Sequence, residues 1–184
     1  MRNEAANIRS SLRRHEVEIR VLRGTSYDGA IIWKVQPIST LFMEDPLKKD
    51  LTDVYYSGRE IFSIPFYSGR YGYRYNLGAT INPRQGNMRI FLMLNRGEFD
   101  ALLPWPLEFQ STVTIIPPTG STEQPIILDM EARSDKSPQP HLPITYKYSL
   151  VLDLEKLCKY TSHDTIFVRG VVEETDVCTS SDSD

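Results

Sequence analysis

The side chains suited to acid–base or nucleophilic chemistry are few and far apart in this chain: His15, His141 and His163, with Cys158 and Cys178. His163 has an adjacent acid, Asp164. That pair opens a predicted strand, where capping a turn is favoured over general-base work. Cys158 falls in a short helix-forming stretch, where it reads as a half-buried residue, and Cys178 lies in a polar tail. There is no Cys-x-x-Cys pair, no His-Glu-x-x-His and no P-loop, and Gly69-Arg70-Tyr71-Gly72 reads as the start of a strand rather than a phosphate cradle. The expectation is a chain that is not an enzyme and holds neither metal nor cofactor.

Aromatic side chains offer recognition chemistry instead. The stretch Phe66 to Pro106 contains two apolar, aromatic-rich runs joined by Asn-Pro-Arg-Gln-Gly-Asn, and it closes on Pro104-Trp105-Pro106. Alternation in the runs is that of strands burying one face, and the joint has turn chemistry. Trp105 reads either as an interface anchor or as plain core. Tyr146 and Tyr148, at i and i+2 on a predicted strand, point to one face. That face is either a binding platform or simply a cover for the core, since Tyr is common in strands.

The elements that position these residues are mostly strands. Residues 31–35 and segments near 60–64, 71–81, 88–95, 111–116, 125–130, 146–152 and 165–173 have strand patterns, separated by turn residues at sandwich-like spacing. Residues 36–58 read as a long polar loop and Glu131 to Pro143 as a Ser- and Pro-rich one. Asp153 to Tyr160 is predicted as the only short helix of this region, N-capped by Asp153. Before the strands, Ala5, Ile8, Leu12, His15, Ile19 and Leu22 fall at 3, 4, 3, 4, 3 spacing, an a/d seam whose Leu at a and Ile at d favour trimers or higher oligomers. The alternative is one amphipathic helix docked on its own domain. The seam starts abruptly at Met1, which suggests a chain that begins inside a longer coiled coil. His15 at a d position is read as a polar register-setting residue rather than a pH switch. Gly24 suits a left-handed helix C′ position.

Bulk properties exclude other classes. With 21 Lys and Arg scattered against 24 acids and a formal charge of −3, the chain lacks the basic stripe of a nucleic-acid binder. Six Arg and three Glu occupy residues 1–23, whereas residues 173–184 carry five acids and no base, so residues 175–184 read as an acidic disordered tail. Two cysteines make no disulfide framework, and no apolar run is long enough to span a membrane. A cytoplasmic location without membrane insertion is the expectation.

Four ordered blocks resemble the C-terminal domain of the TRAF family, the trimeric adaptors of tumour-necrosis-factor-type receptors. Tyr27-Asp28-Gly29-Ala30-Ile31-Ile32-Trp33-Lys34-Val35 looks like the family's opening strand behind its stalk. Phe62 to Tyr73 is similar to its Ser-Pro-x-Phe-Tyr-x-x-x-x-Gly-Tyr signature, with Ile64 in place of the Pro. Arg96 to Pro106 is similar to its Gly-Glu-Tyr-Asp…Leu-Pro-Trp-Pro segment, and His163 to Arg169 to its final strand. The resemblance implies a mainly β chain: a coiled-coil stalk fragment, residues 1–24, then an eight-stranded antiparallel TRAF/MATH-like sandwich, residues 27–174.

It also implies a function. The family's domain captures short peptide motifs from receptor tails and adaptor proteins along the sandwich edge, and trimerisation raises weak affinity by avidity. A RING domain with ubiquitin-ligase activity would lie upstream, which associates the protein with ubiquitin signalling and innate immunity. Carried onto this chain, the oligomerisation residues are the six seam positions and Trp105. The peptide-binding residues are Phe91, Tyr146, Tyr148, Thr80 and Arg133. Here the family departs: its pocket Arg falls at Gly78 and the neighbouring Tyr at Thr80, and the serines that grip a ligand Gln are reduced to Ser134 and Ser137. Arg74, Arg84, Arg89 and Arg133 are candidates to replace the lost cation. A homotrimeric scaffold whose groove has decayed is the competing reading, favoured if Phe91, Tyr146 and Tyr148 are buried.

Overall fold

The structure, a computed structural model, describes residues 11–16, 19, 24–43 and 59–175, with backbone alone at 149 and 150. Strict alternation of apolar and polar residues makes the strands. β6 (Leu107–Ile116) buries every second residue, and β9 (Ile166–Glu174) does the same through Val172. Together with β1 (Ala30–Val35) and β7 (Ile126–Ser134) they form one sheet in the order β1-β9-β6-β7. The second sheet runs β2 (Arg59–Phe62), β4 (Arg74–Asn82), β5 (Asn87–Asn95), β8 (Ile144–Asp153), with a two-residue β3 (Phe66–Tyr67) also on β4. All pairings between these strands are antiparallel, and Ser26 adds an isolated parallel bridge to Phe66. This is the expected eight-stranded sandwich, with β3 as a short addition.

Inward residues of both sheets meet in one core. Tyr75, Leu77, Ala79 and Ile81 of β4 and Met88, Ile90, Leu92 and Leu94 of β5 face Phe109, Val113 and Ile115 of β6 and Val168 of β9, all essentially solvent-free. The β4–β5 joint is the predicted turn. Gln85 N–H donates to Asn82 Oδ1 at 3.2 Å, and Gly86 takes φ of 60°, a left-handed conformation that costs glycine little.

Several expectations on local elements meet the structure differently. The helix Leu154–Tyr160 forms with Asp153 accepting from Lys156 N–H at 2.7 Å, as predicted. It is not the only short helix, because Ile38–Leu41 inside the expected polar loop is also helical. Its start is held from outside: Asp164 accepts from Ser39 N–H and Ser39 Oγ, both at 2.7 Å. His163 and Asp164 both adopt positive φ, 49° and 60°, in the turn before β9, and this position serves that cap. Cys158 is exposed rather than half-buried, since Leu157 and Tyr160 supply the buried face of its helix. Gly24 is not left-handed; the left-handed glycine comes five residues later at Gly29, with φ of 76°. A Cβ at Gly24 would overlap the Ile64 side chain, which gives the glycine a packing reason instead. Residues 11–16 are helical and exposed, and Ile19 is also exposed. Ala5, Ile8, Leu22 and residues 176–184 of the acidic tail lie outside the described residues, so the coiled coil is not shown.

Candidate functional site

β7 and β8 are the terminal strands of their respective sheets, and among the described residues nothing pairs with the outer side of either. They lie on the same rim of the sandwich. Tyr146 Oη on β8 donates to the Arg133 carbonyl on β7 at 3.2 Å, and the Tyr146 ring meets Phe109 edge-on with centroids 5.3 Å apart. β8 is also irregular. Lys147 pairs with Phe91 and Val151 with Arg89, so Tyr148, Ser149 and Leu150 stand opposite Ile90 alone. Such a bulge kinks an edge strand and breaks its ladder into two short halves.

The i, i+2 spacing of Tyr146 and Tyr148 does place them on one face, and that face is the interior. Tyr148 is 4% exposed, and its Oη lies 2.8 Å from Ser111 Oγ on the opposite sheet. Burial pushes its phenol up to about 12, against a smaller opposing effect of the Ser111 hydrogen bond. Burial likewise raises the half-buried Tyr146 phenol. Tyr148 is therefore no part of an exposed aromatic platform: alternation from Ile144 to Leu152 turns it to the core.

Phe91 points the other way, to the outer face of β5, yet is 3% exposed. It lies over Gly78, its register partner on β4, where a Cβ would overlap the ring edge. Phe62 covers it from β2 at 6.0 Å in a T-shaped contact. The space that a side chain at position 78 would take is thus occupied by an aromatic ring. Thr80 is half-buried on the same outer face, paired in register with Arg89.

The candidate cations separate clearly. Arg133 is held by Glu108 at 2.6 Å and Asp135 at 2.9 Å. Arg74 donates weakly to the Arg96 carbonyl at 3.5 Å and lines an open cleft of about 450 Å³ with Glu98, His141 and Pro143. Arg84 sits exposed in the β4–β5 turn. Arg89 is exposed on the outer face and makes no ion pair or hydrogen bond among the described residues, and the same holds for Lys147. Sequence reasoning missed Lys147, although the run Tyr146-Lys147-Tyr148 carried the signal: if the tyrosines turn inward, the lysine must turn out.

Trp105 is half-buried against the core, edge-on to Tyr73 at 5.2 Å, and its Nε1 donates to the Asp100 carbonyl at 3.1 Å. Among the described residues no cluster of three or more His, Cys, Asp or Glu could hold a metal ion, and no helix is long and apolar enough to cross a membrane.

The sequence pattern of the TRAF/meprin MATH domain matches residues 58–169. The chain belongs to that family. Its sandwich resembles the solved TRAF5 structure of Notothenia coriiceps, with a TM-score of 0.72 at 22% identity over 94% of this chain and 87% of that one, a likeness of fold. TNF receptor-associated factor 1 of Mus musculus is 26% identical across 86% of the chain, and TNF receptor-associated factor 5 of Homo sapiens is 28% identical across 92%. These identities mark a divergent member. The chain spans 39% and 31% of those two relatives' lengths. A MATH domain is a protein-interaction module.

Proposed function

We propose that this MATH domain is the partner-capturing part of an oligomeric signalling adaptor, residues 27–174, taking extended segments of receptor tails or adaptor proteins as an added strand on β8. The observation that carries the reading is the free outer side of β8, a ten-residue strand paired only through β5 among the described residues. An unpaired strand edge offers main-chain donors and acceptors in register for an incoming peptide. The bulge limits each engaged half to a few residues, so single contacts are weak. A trimer formed through the seam from Ala5 to Leu22, with Trp105 at the domain contact, supplies the missing strength by avidity. Nothing in this chemistry requires catalysis, a metal or a cofactor, and the partners are cytoplasmic.

The test is a fluorescence-polarisation titration of the chain with an extended acidic peptide and the same peptide N-methylated at alternate amides. Saturable binding of the unmethylated form, lost on methylation, is expected. Equal binding of both forms would overturn strand addition. One observation favours a second reading: Phe91 and Tyr148 are buried, as in a scaffold that binds through stalk or rim. Absence of binding by either peptide at near-millimolar protein would select it.

A further inference from the structure

The outer face of β4 is closed at Gly78, because Phe91 lies over Gly78 and Phe62 covers Phe91. Charge on the same outer face is instead concentrated one and two strands nearer the free edge. Register fixes two adjacent cross-strand rows: Phe62, Gly78, Phe91, Lys147, and then Glu60, Thr80, Arg89, Val151. Lys147 therefore stands on the edge strand itself and Arg89 on the strand behind it, one on each side of the β8 bulge. Both are exposed and without a polar partner among the described residues, whereas Arg133 on neighbouring β7 is engaged by two carboxylates. The acid in these rows, Glu60, lies on the far strand, with Thr80 between it and Arg89. Val151, 39% exposed, adds a small apolar surface next to Arg89.

We propose that Arg89 and Lys147 are the specificity-determining pair of this domain, selecting extended peptides that place a carboxylate side chain on the outer face at the β8 bulge. The proposal rests on strand capture at β8 and assigns its side-chain preference. Two unpaired cations beside a free edge discriminate by sign: an acid gains attraction from both, and a lysine at the same position meets repulsion from both. The main-chain bonds stay common to every sequence, so charge decides which peptide wins.

The experiment uses three labelled peptides that differ at one outward-facing position, glutamate, glutamine or lysine, titrated against the full 184-residue chain. Glutamate is expected to bind roughly tenfold tighter than lysine, from two exposed pairs of modest strength each. That ratio should shrink as salt is raised. In Arg89→Glu/Lys147→Glu the order should invert; in Arg89→Gln/Lys147→Gln it should flatten; in Arg89→Lys/Lys147→Arg it should persist. Thermal unfolding of each variant establishes that it is folded, and the glutamine pair provides the readout if the glutamate pair is not. An unchanged glutamate-to-lysine ratio in a folded charge-reversed or neutral variant would overturn the assignment. If all three peptides bind alike and N-methylation still abolishes binding, edge capture stands and acid selection falls. Failure of every peptide to bind removes both.

Discussion

β7 and β8 are neighbours on one rim, and both end their sheets, but they spend their polar side chains differently. Along β7 the exposed groups are matched to β6: Asp129 accepts from Thr112 at 2.7 Å, Glu131 accepts from Gln110 at 3.2 Å, and Arg133 pairs with Glu108. Along β8 the inward tyrosines are anchored, Tyr148 to Ser111 and Tyr146 to the Arg133 carbonyl, while the outward Lys147 is unmatched. A charge already satisfied by its own sheet has little to offer a partner; an unsatisfied one beside free backbone does. Identical topological positions therefore serve two ends, closure of the rim on β7 and availability for capture on β8.

The largest test of this contrast removes the inward anchor. Tyr148→Ala should destabilise the domain by roughly 3–5 kcal/mol, the usual range for deleting a buried aromatic side chain, measured by urea unfolding. A loss below about 1 kcal/mol would mean that the inner face of β8 is not structural. A somewhat smaller effect is expected from alkali. The Tyr148 phenol is raised by burial to about 12 in the folded chain from 10 in the unfolded one. Its contribution to stability is complete below pH 10 and is lost as pH rises toward 12, by about 2–3 kcal/mol at 1.36 kcal/mol per unit. Tyr148→Phe should reduce that alkaline slope, and an unaltered slope would assign it elsewhere. Tyr73, also pushed up to about 12 by burial, and Tyr75, whose phenol burial raises further, leave a residual slope of the same sign. The smallest effect is expected at the rim: Arg133→Ala should leave the unfolding midpoint unchanged, because an exposed ion pair is offset by solvent and side-chain entropy. A clear drop would show that β7 depends on its surface pairs and would blunt the comparison with β8.

Much of the fold was legible in the order of residues. Alternation from Leu107 to Ile116 and from Ile166 to Val172 names the inward positions, Asn82-Pro83-Arg84-Gln85-Gly86 names a turn, and Asp153 names a helix start. Each is a local property, decided by neighbours within a few residues. The helix Ile38–Leu41 was not legible because its cap, Asp164, lies 125 residues from Ser39 in sequence. The binding-site assignment was the least legible part. Tyr146 and Tyr148 were correctly put on one face, but periodicity cannot say which face of a strand meets the other sheet.

The amino-acid order by itself determined most of the strands, the turns and the family to which they belong, since short-range periodicity and turn chemistry suffice for these; residues 131–134, read as the start of a loop, instead close β7. Only the tertiary structure decided that Tyr148 reaches across to Ser111, that Phe91 occupies the space above Gly78, and that Arg133 is spent on Glu108 and Asp135 while Arg89 and Lys147 are not. The reason is physical: whether a side chain is buried or free depends on which strand stands opposite it, and that pairing is set by the global minimum of packing and hydrogen bonding, not by the residues on either side.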